Sequence, residues 1–316
     1  ITVSGFSPLG TEFNNPQSGT TNTLHLANTA TWTRGGHLVK FGGEARLIRQ
    51  EAFRDVQARG GITFTGLLTG APLTDLLFGL PTFTTVAELD NPQNVRTESY
   101  GLFVQDSIDL RPDLTLSAGL RYDFTSPPVD ADDRATLYNP DTGQLQAVGT
   151  AGLPRAGYES DSNNWAPRIG LAWSPGAGTT VVRGGYGIHY NQSALAPSEG
   201  LYFNAPYFQL RAFFPSATAP LFVHDPFPAQ PGFLPQSGTA FQRDLRTPYL
   251  HQFNINVQRR LGSSRVVEVA YVGSRGRNLI AGRDLNQPSA SPQPLNLRPN
   301  PFFGDITYIE SRARSR

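Results

Sequence analysis

The feature that most constrains this chain is a set of segments in which apolar and polar residues alternate with a period of two. In Leu114–Phe124 every second residue from Leu114 onward is apolar, and the residues between them, such as Thr115 and Arg121, are polar or glycine. Successive side chains of a β-strand point to opposite faces of the sheet. The segment is therefore predicted to be a strand with one apolar and one polar face.

The same period recurs along the chain and predicts an all-β fold. It is weaker in Thr23–Thr33 and in Glu98–Leu110, where Asp106 interrupts the apolar face. A last strand is predicted to begin near Ile306. The other predicted strands are Leu38–Arg49, Asn164–Ser174, Thr180–Tyr190, His251–Leu261 and Val266–Arg275.

Short and long connections alternate strictly between these strands. The short ones have the glycine, proline, aspartate and serine residues that are typical of turns. This order predicts an antiparallel up-and-down wall with tight turns at one end and long loops at the other. The turns are Arg34–Gly36, Arg111–Asp113, Pro175–Gly178 and Gly262–Ser264, and the long connections cover residues 50–97, 126–163, 191–250 and 276–304.

Three properties favour a membrane barrel over a soluble sheet. Strands of about eleven residues, rising about 3.3 Å each and tilted about 40°, cover the apolar band of an outer-membrane barrel. Loops of this length are uncommon in compact domains. Aromatic residues such as Trp165 and Trp173 lie near strand ends, where a membrane interface suits them. The wall would have its turns in the periplasm and its loops outside the cell. A soluble β-sandwich or lectin-like domain is the alternative, but a second apolar set large enough to cover these strands is missing.

Composition narrows the function further. The absence of cysteine excludes disulfides and thiolate metal sites, and the net charge of +1 gives no reason to expect a nucleic-acid partner. The sequence has no run of 18 apolar residues, so no transmembrane helix is predicted. The chain starts at Ile1 without a signal peptide, so we expect a mature product or a fragment of a longer protein.

Several of these segments resemble, in the same order, the barrel of Oar-like TonB-dependent receptors. The resemblance covers nearly all of the chain. Each segment alone is generic barrel sequence, whereas their order is specific. The segments are Gly36–Glu44 (GHLVKFGGE), Tyr100–Asp106 (YGLFVQD), Leu114–Tyr122 (LTLSAGLRY), Ala166–Ser174 (APRIGLAWS), Val181–Gly187 (VVRGGYG) and Ala270–Gly276 (AYVGSRG).

The resemblance implies a barrel of roughly 22 strands closed by an N-terminal plug, often behind a carboxypeptidase-regulatory-like domain. It also implies that the inner-membrane TonB complex supplies energy through a short box near the N-terminus. Among residues 1–316 we expect about nine wall strands and none of the plug, the box or the front domain. The chain would then be one partial outer-membrane barrel domain, an open, curved sheet with two free edges.

No catalytic or metal-binding motif stands out, and no cofactor is expected. The five histidines do not pair at ligand spacing, and neither H-E-x-x-H nor G-x-S-x-G occurs. Val129–Asp133 offers oxygen ligands for Ca²⁺ but lacks the glycine and distal glutamate of an EF-hand, so a solvated acidic loop is favoured. Pro72–Gly79 predicts a short helix in an extracellular loop. Local packing is favoured for this helix over ligand capture.

Seven charged residues on the polar faces are candidates for lining the lumen of the barrel. Neighbouring strands place opposite signs side by side, so pairing between these side chains is favoured over a role in a substrate path or in contacts with a plug. The candidates are Lys40, Glu44, Arg46, Arg121, Asp123, Arg168 and Arg183.

The leading hypothesis is a barrel segment of an outer-membrane TonB-dependent transporter or receptor in a Gram-negative bacterium. It would bind or pass an unidentified solute, for which a carbohydrate is one candidate, without covalent chemistry. Its partners would be outer-membrane lipid, the solute and, through other parts of the protein, the TonB complex. A passive porin-like channel and a soluble extracellular β-rich binding domain are the alternatives.

Overall fold

A long antiparallel sheet dominates the computed structural model, which describes residues 1–176, 178–191, 196–229, 235–290 and 298–315. We call this sheet the wall. Its eight long strands are β2 (Gln17–Arg34), β3 (His37–Arg54), β6 (Gln93–Arg111), β7 (Leu114–Thr125), β11 (Trp165–Trp173), β12 (Thr180–Tyr190), β15 (Tyr249–Leu261) and β16 (Arg265–Arg277).

The wall is open, as the sequence predicted. Its strands follow the order β16-β15-β12-β11-β7-β6-β3-β2, so β16 and β2 are the two edges. A ninth, two-residue strand, β8 (Val129–Asp130), pairs with β6. The β2–β3 hairpin turns through Gly35 and Gly36, both with positive φ, which is the conformation that a two-residue hairpin needs. The predicted short turns are confirmed, although Ala177 of one of them lies outside the described residues.

Three wall strands are longer than the alternation predicted. β2 and β3 have 18 residues each and β6 has 19. Their outer ends contain segments such as residues 17–22 and 93–97, in which apolar residues do not alternate with polar ones. These ends remain extended because each pairs with its neighbour, for example Gln17 with Arg54 and Ala52 with Gln93. The predicted long connection 50–97 is therefore shorter at both ends.

The strand predicted near Ile306 exists but is not part of the wall. β18 (Phe303–Ala313) lies between β14 (Gln236–Phe241) and β17 (Leu279–Asp284) in a separate three-stranded sheet. A wall strand leaves one face exposed, whereas Ile306 is only 1 % exposed and packs with Tyr138 and Ala240. Burial of Ile306 in a loop core therefore explains why β18 lies outside the wall.

The long connections carry their own small sheets and short helices. The described apolar cores lie here, for example Leu137, Leu201 and Phe241 in one cluster. The remaining strands are β1 (Thr2–Val3), β4 (Gly61–Phe64), β5 (Phe83–Leu89), β9 (Thr136–Asn139), β10 (Gln144–Ala147) and β13 (Phe208–Phe213). The helices are α1 (Pro72–Leu77), α2 (Ala196–Glu199) and a 3₁₀ helix (Gly200–Phe203).

One face of the wall is apolar and uncovered. Leu102, Ile169 and Tyr271 lie on this face and are 64 %, 53 % and 62 % exposed. Soluble proteins rarely leave a contiguous apolar surface of this extent open. Within the described residues, no helix is long and apolar enough to cross a membrane.

Candidate functional site

Charged side chains meet on the polar face of the wall, opposite the apolar face. The register places Glu44 of β3 beside Gly101 of β6, and Gly101 beside Asp123 of β7. Residues directly opposite each other in a sheet share a face. The polar face therefore brings together residues that are far apart in sequence. We call the group formed by His25, Glu44, Arg46, Arg121 and Asp123 the lumen cluster.

The Arg121 guanidinium is the centre of the lumen cluster. Its Nε donates to both carboxylate oxygens of Asp123, at 2.8 and 3.0 Å, and a terminal nitrogen donates to Glu44. Glu44 also contacts His25 Nε2 at 3.0 Å and Arg46 at 3.7 Å. Arg121 and Asp123 are 21 % and 15 % exposed, so water screens these contacts less than it screens a pair on an open surface.

Gly101 makes room for this arrangement. A Cβ atom at Gly101 would lie 2.5 Å from a terminal nitrogen of Arg121 and 3.2 Å from a carboxylate oxygen of Asp123. Any side chain at this position would push the guanidinium away from one of its two carboxylates. The lumen cluster therefore depends on a glycine as well as on charged residues.

The structure groups four of the seven predicted lumen residues and leaves three apart. Glu44, Arg46, Arg121 and Asp123 belong to the lumen cluster. The other three are Lys40, Arg168 and Arg183. Lys40 has no ion pair or hydrogen bond among the described residues, and Arg183 contacts Gln258 at 3.4 Å.

Arg168 borders a shallow cavity on the polar face. The cavity, of about 190 Å³, lies over Gly119 and is also bordered by Phe103, Gln105 and Arg121. The register places Gly119 between Gln105 and Arg168 on the neighbouring strands, so its missing side chain creates the space. Arg168 at its rim suits an anionic or polar group, whereas the Arg121 guanidinium is already bound to Asp123 and Glu44.

The acidic segment around Asp130 is a buried structural element. Asp130 is 4 % exposed, and its carboxylate accepts hydrogen bonds from the backbone amides of Asn94, Asp132 and Arg134 and from the Tyr202 hydroxyl. These donors occupy the oxygens that a Ca²⁺ ion would need. The prediction of a solvated loop is wrong for Asp130 but holds for the exposed Asp132 and Asp133.

The predicted extracellular helix is present, but local packing explains only part of it. α1 begins at Pro72, and its buried residue is Asp75, whose carboxylate accepts hydrogen bonds from the backbone and hydroxyl of Thr69. The Thr69 hydroxyl is the main cause that lowers the pKa of Asp75 below its ordinary value. By contrast, Leu77 and Phe78 are 79 % and 70 % exposed. The helix thus buries its charge and presents its apolar side chains outward.

The chain segment that contains α1 has little charge. Between Gly60 and Ala87 the sequence contains one charged residue, Asp75, and this residue is buried. Leu67 and Leu73 add to the exposed apolar surface around Leu77 and Phe78. We call these four residues the α1 patch. Among the described residues, no group of three or more histidine, aspartate or glutamate side chains could hold a metal ion.

An open antiparallel wall with a bare apolar face, a charged opposite face and long folded connections at one end defines the class of an outer-membrane β-barrel. All 316 residues match the family described as "Outer membrane beta barrel domain", and the chain belongs to this family. The protein is therefore located in the outer membrane. No curated protein matches the chain.

The chain also matches solved structures of outer-membrane receptors and transporters, with TM-scores below 0.5. One is described as a copper transporter, OprC, with 12 % identity and a TM-score of 0.49 over 93 % of this chain and 34 % of the other. The FrpB iron transporter from Neisseria meningitidis has 12 % identity and a TM-score of 0.45 over 94 % and 31 %. The Serratia marcescens hemophore receptor HasR has 13 % identity and a TM-score of 0.47 over 95 % and 38 %. The chain thus spans about a third of the length of these structures.

Proposed function

We propose that this chain is a wall segment of a TonB-dependent outer-membrane receptor of the Oar-like type, which binds a solute outside the cell and passes it inward without covalent chemistry. The observation that carries the proposal is the two-sidedness of the wall. Its apolar face suits lipid, and the lumen cluster on its other face suits a polar interior. Residues 1–316 would form part of one larger barrel, whose plug, TonB box and front domain belong to other parts of the protein.

The two open edges, β2 and β16, also support this proposal. A barrel must close, because unpaired backbone groups in the membrane cost several kcal/mol each. Further strands of the same barrel would satisfy the 18-residue edge β2. In the proposed receptor, arginines such as Arg168 and Arg183 line the interior together with Lys40.

The proposal can be tested against a passive channel without knowledge of the solute. The full-length protein, reconstituted in liposomes, is expected to give no swelling in an isosmotic disaccharide solution, because a plug fills the barrel. The periplasmic domain of TonB is expected to bind to the same protein in detergent. Rapid swelling without TonB binding would identify a porin-like channel instead. A full-length protein that stays monomeric in buffer without detergent would contradict both the receptor and the porin-like channel.

The α1 patch is proposed to contact the solute at the cell surface. A surface that exposes Phe78 and Leu77 suits an uncharged or apolar part of a solute, and the face of a sugar ring is one such part. The few side chains that dominate a binding interface each contribute a factor of ten or more to affinity.

Replacement of both Leu77 and Phe78 by serine is expected to weaken solute binding roughly tenfold without loss of folding, since neither side chain is buried. The measurement is the solute concentration for half-maximal TonB-dependent growth of cells that carry the variant. Phe302→Ser is the control, because Phe302 is 79 % exposed but lies in another connection. Equal loss in the control, or no loss in the double variant, would remove the α1 patch from the proposed solute site.

A further inference from the structure

Arginines without acidic partners lie at the outer end of the apolar face. On β16 this face carries Val269 and Tyr271 and continues through Arg275 and Arg277. The register places Arg275 beside His251 and Arg277 beside Tyr249. Arg275 lies about ten residues from the start of β16, which is about 25 Å above the periplasmic turn for a strand tilted about 40°. This height matches the outer boundary of the apolar band.

A third arginine joins the first two from the end of the described chain. Gly276 and Ser315 exchange both backbone hydrogen bonds, at 3.1 and 3.2 Å, as a directly opposed antiparallel pair does. The residues next to such a pair, Arg277 and Arg314, then share the other face of the sheet. Arg314 is exposed, as is Arg275. The three arginines thus occupy one place at the rim of the membrane.

The ordinary explanation for clustered arginines, pairing with carboxylates, does not apply here. Among the described residues, neither Arg275 nor Arg314 has a hydrogen bond or an ion pair, and Arg277 contacts the carbonyl oxygen of Gly276 at the limiting distance of 3.5 Å. The neighbouring His251 is engaged with the Tyr186 hydroxyl at 2.8 Å. Like charges in adjacent positions repel one another, so an anion between them would stabilise the group.

The neighbouring side chains indicate what kind of anion this is. Tyr249 and Tyr190 are 5.3 Å apart between ring centroids and lie on the same face, as an interfacial aromatic belt does. Below the arginines the face is open and apolar at Tyr271 and Val269, which are 62 % and 69 % exposed. A guanidinium group binds phosphate through two parallel hydrogen bonds. The occupant therefore combines a phosphate with apolar chains.

We propose that Arg275, Arg277 and Arg314 form a binding site for the phosphate of a phosphorylated glycolipid in the outer leaflet. The arginines hold the phosphate at the headgroup level, and the acyl chains lie along Tyr271 and Val269. The site would anchor this part of the wall at a fixed depth, on the side opposite the lumen cluster. It is separate from the proposed solute path, and its test does not depend on transport.

The test measures binding of diphosphorylated lipid A to the full-length protein in detergent by native mass spectrometry. Arg275→Gln/Arg277→Gln is expected to weaken binding by about tenfold for each arginine, because charge-assisted hydrogen bonds to phosphate are lost. Lipid A without phosphates is expected to bind the original protein at least as weakly as lipid A binds this variant, because the variant keeps Arg314. Arg275→Lys/Arg277→Lys is expected to recover part of the affinity, since it keeps the charge but loses the two-point geometry.

Arg259→Gln is the matched control. Arg259 is an exposed arginine of β15 on the same face, but it lies at the periplasmic end beside Val267. Unchanged affinity in the glutamine pair, or an equal loss in Arg259→Gln, would overturn the site. Displacement of lipid A by millimolar inorganic phosphate would show that the arginines take free phosphate and not a lipid headgroup. Retention of the heat-resistant mobility of a folded barrel in gels verifies that each variant is folded.

Discussion

Replacing Asp130 by alanine is expected to lower the free energy of unfolding by roughly 3 kcal/mol, because one buried carboxylate serves four donors. Three of the donors are backbone amides, and the fourth is the Tyr202 hydroxyl, 3 % exposed as a residue. Without the carboxylate the Tyr202 hydroxyl stays buried without this acceptor, and the three partly buried amides lose theirs. Chemical denaturation of the protein in detergent measures the change, and hydrogen exchange at residues 94, 132 and 134 localises it.

Asp132→Ala is the control for this prediction. Asp132 is exposed, and its carboxylate makes one weak contact with Asn94 at 3.4 Å. Its removal is expected to change the free energy of unfolding by less than about 0.5 kcal/mol. If the two alanine variants lose the same amount, Asp130 is not the organising residue of this connection.

Tyr202 offers a second way to test the same carboxylate. Burial is the first cause that raises the pKa of Tyr202 above its ordinary value, and the charge of Asp130 adds to it. The hydroxyl therefore stays protonated and donates to the carboxylate across the neutral range. The stability that this protonated form contributes is present below about pH 10 and is lost as the pH rises further. In Tyr202→Phe this alkaline loss is expected to be smaller.

The wall could be predicted from the sequence because each strand separates two different environments. The alternation in Leu114–Phe124 exists only because one face meets lipid and the other a polar interior. The register of the β2–β3 hairpin could also be predicted from the sequence. A two-residue turn at Gly35–Gly36 places His25 beside Arg46. His25 is the member of the lumen cluster that was not among the predicted lumen residues.

The parts that could not be predicted lie where strands no longer separate an apolar from a polar environment. The outer ends of β2 and β3 remain extended through backbone pairing and polar side-chain contacts, such as Arg54 to Gln17 at 3.2 Å, which leave no apolar period in the side chains. Ile306 belongs to a loop core in which one partner, Tyr138, is more than 150 residues away in sequence. Asp130 looks like a solvated acid in sequence, since its donors are mostly backbone amides that any residue supplies.

Arg121→Ala is expected to destabilise the folded wall by roughly 2 kcal/mol, because it leaves Glu44 and Asp123 close together without the guanidinium between them. This loss is smaller than the cost of breaking a fully buried ion pair, because the Arg121 side chain is 21 % exposed to water. Chemical denaturation in detergent is again the measurement. Arg183→Ala, which removes an arginine with one 3.4 Å contact to Gln258, is expected to cost less than about 0.5 kcal/mol.

Gly101→Val separates the role of geometry from the role of charge in this cluster. The variant keeps all charges but places side-chain atoms where the Arg121 guanidinium lies, within 2.5 Å at the Cβ position. If the contacts to Glu44 and Asp123 stabilise the wall, Gly101→Val lowers the free energy of unfolding and adds little further loss to Arg121→Ala. Fully additive losses would mean that the valine acts elsewhere on the strand. The double-mutant cycle thereby decides whether the glycine and the arginine form one unit.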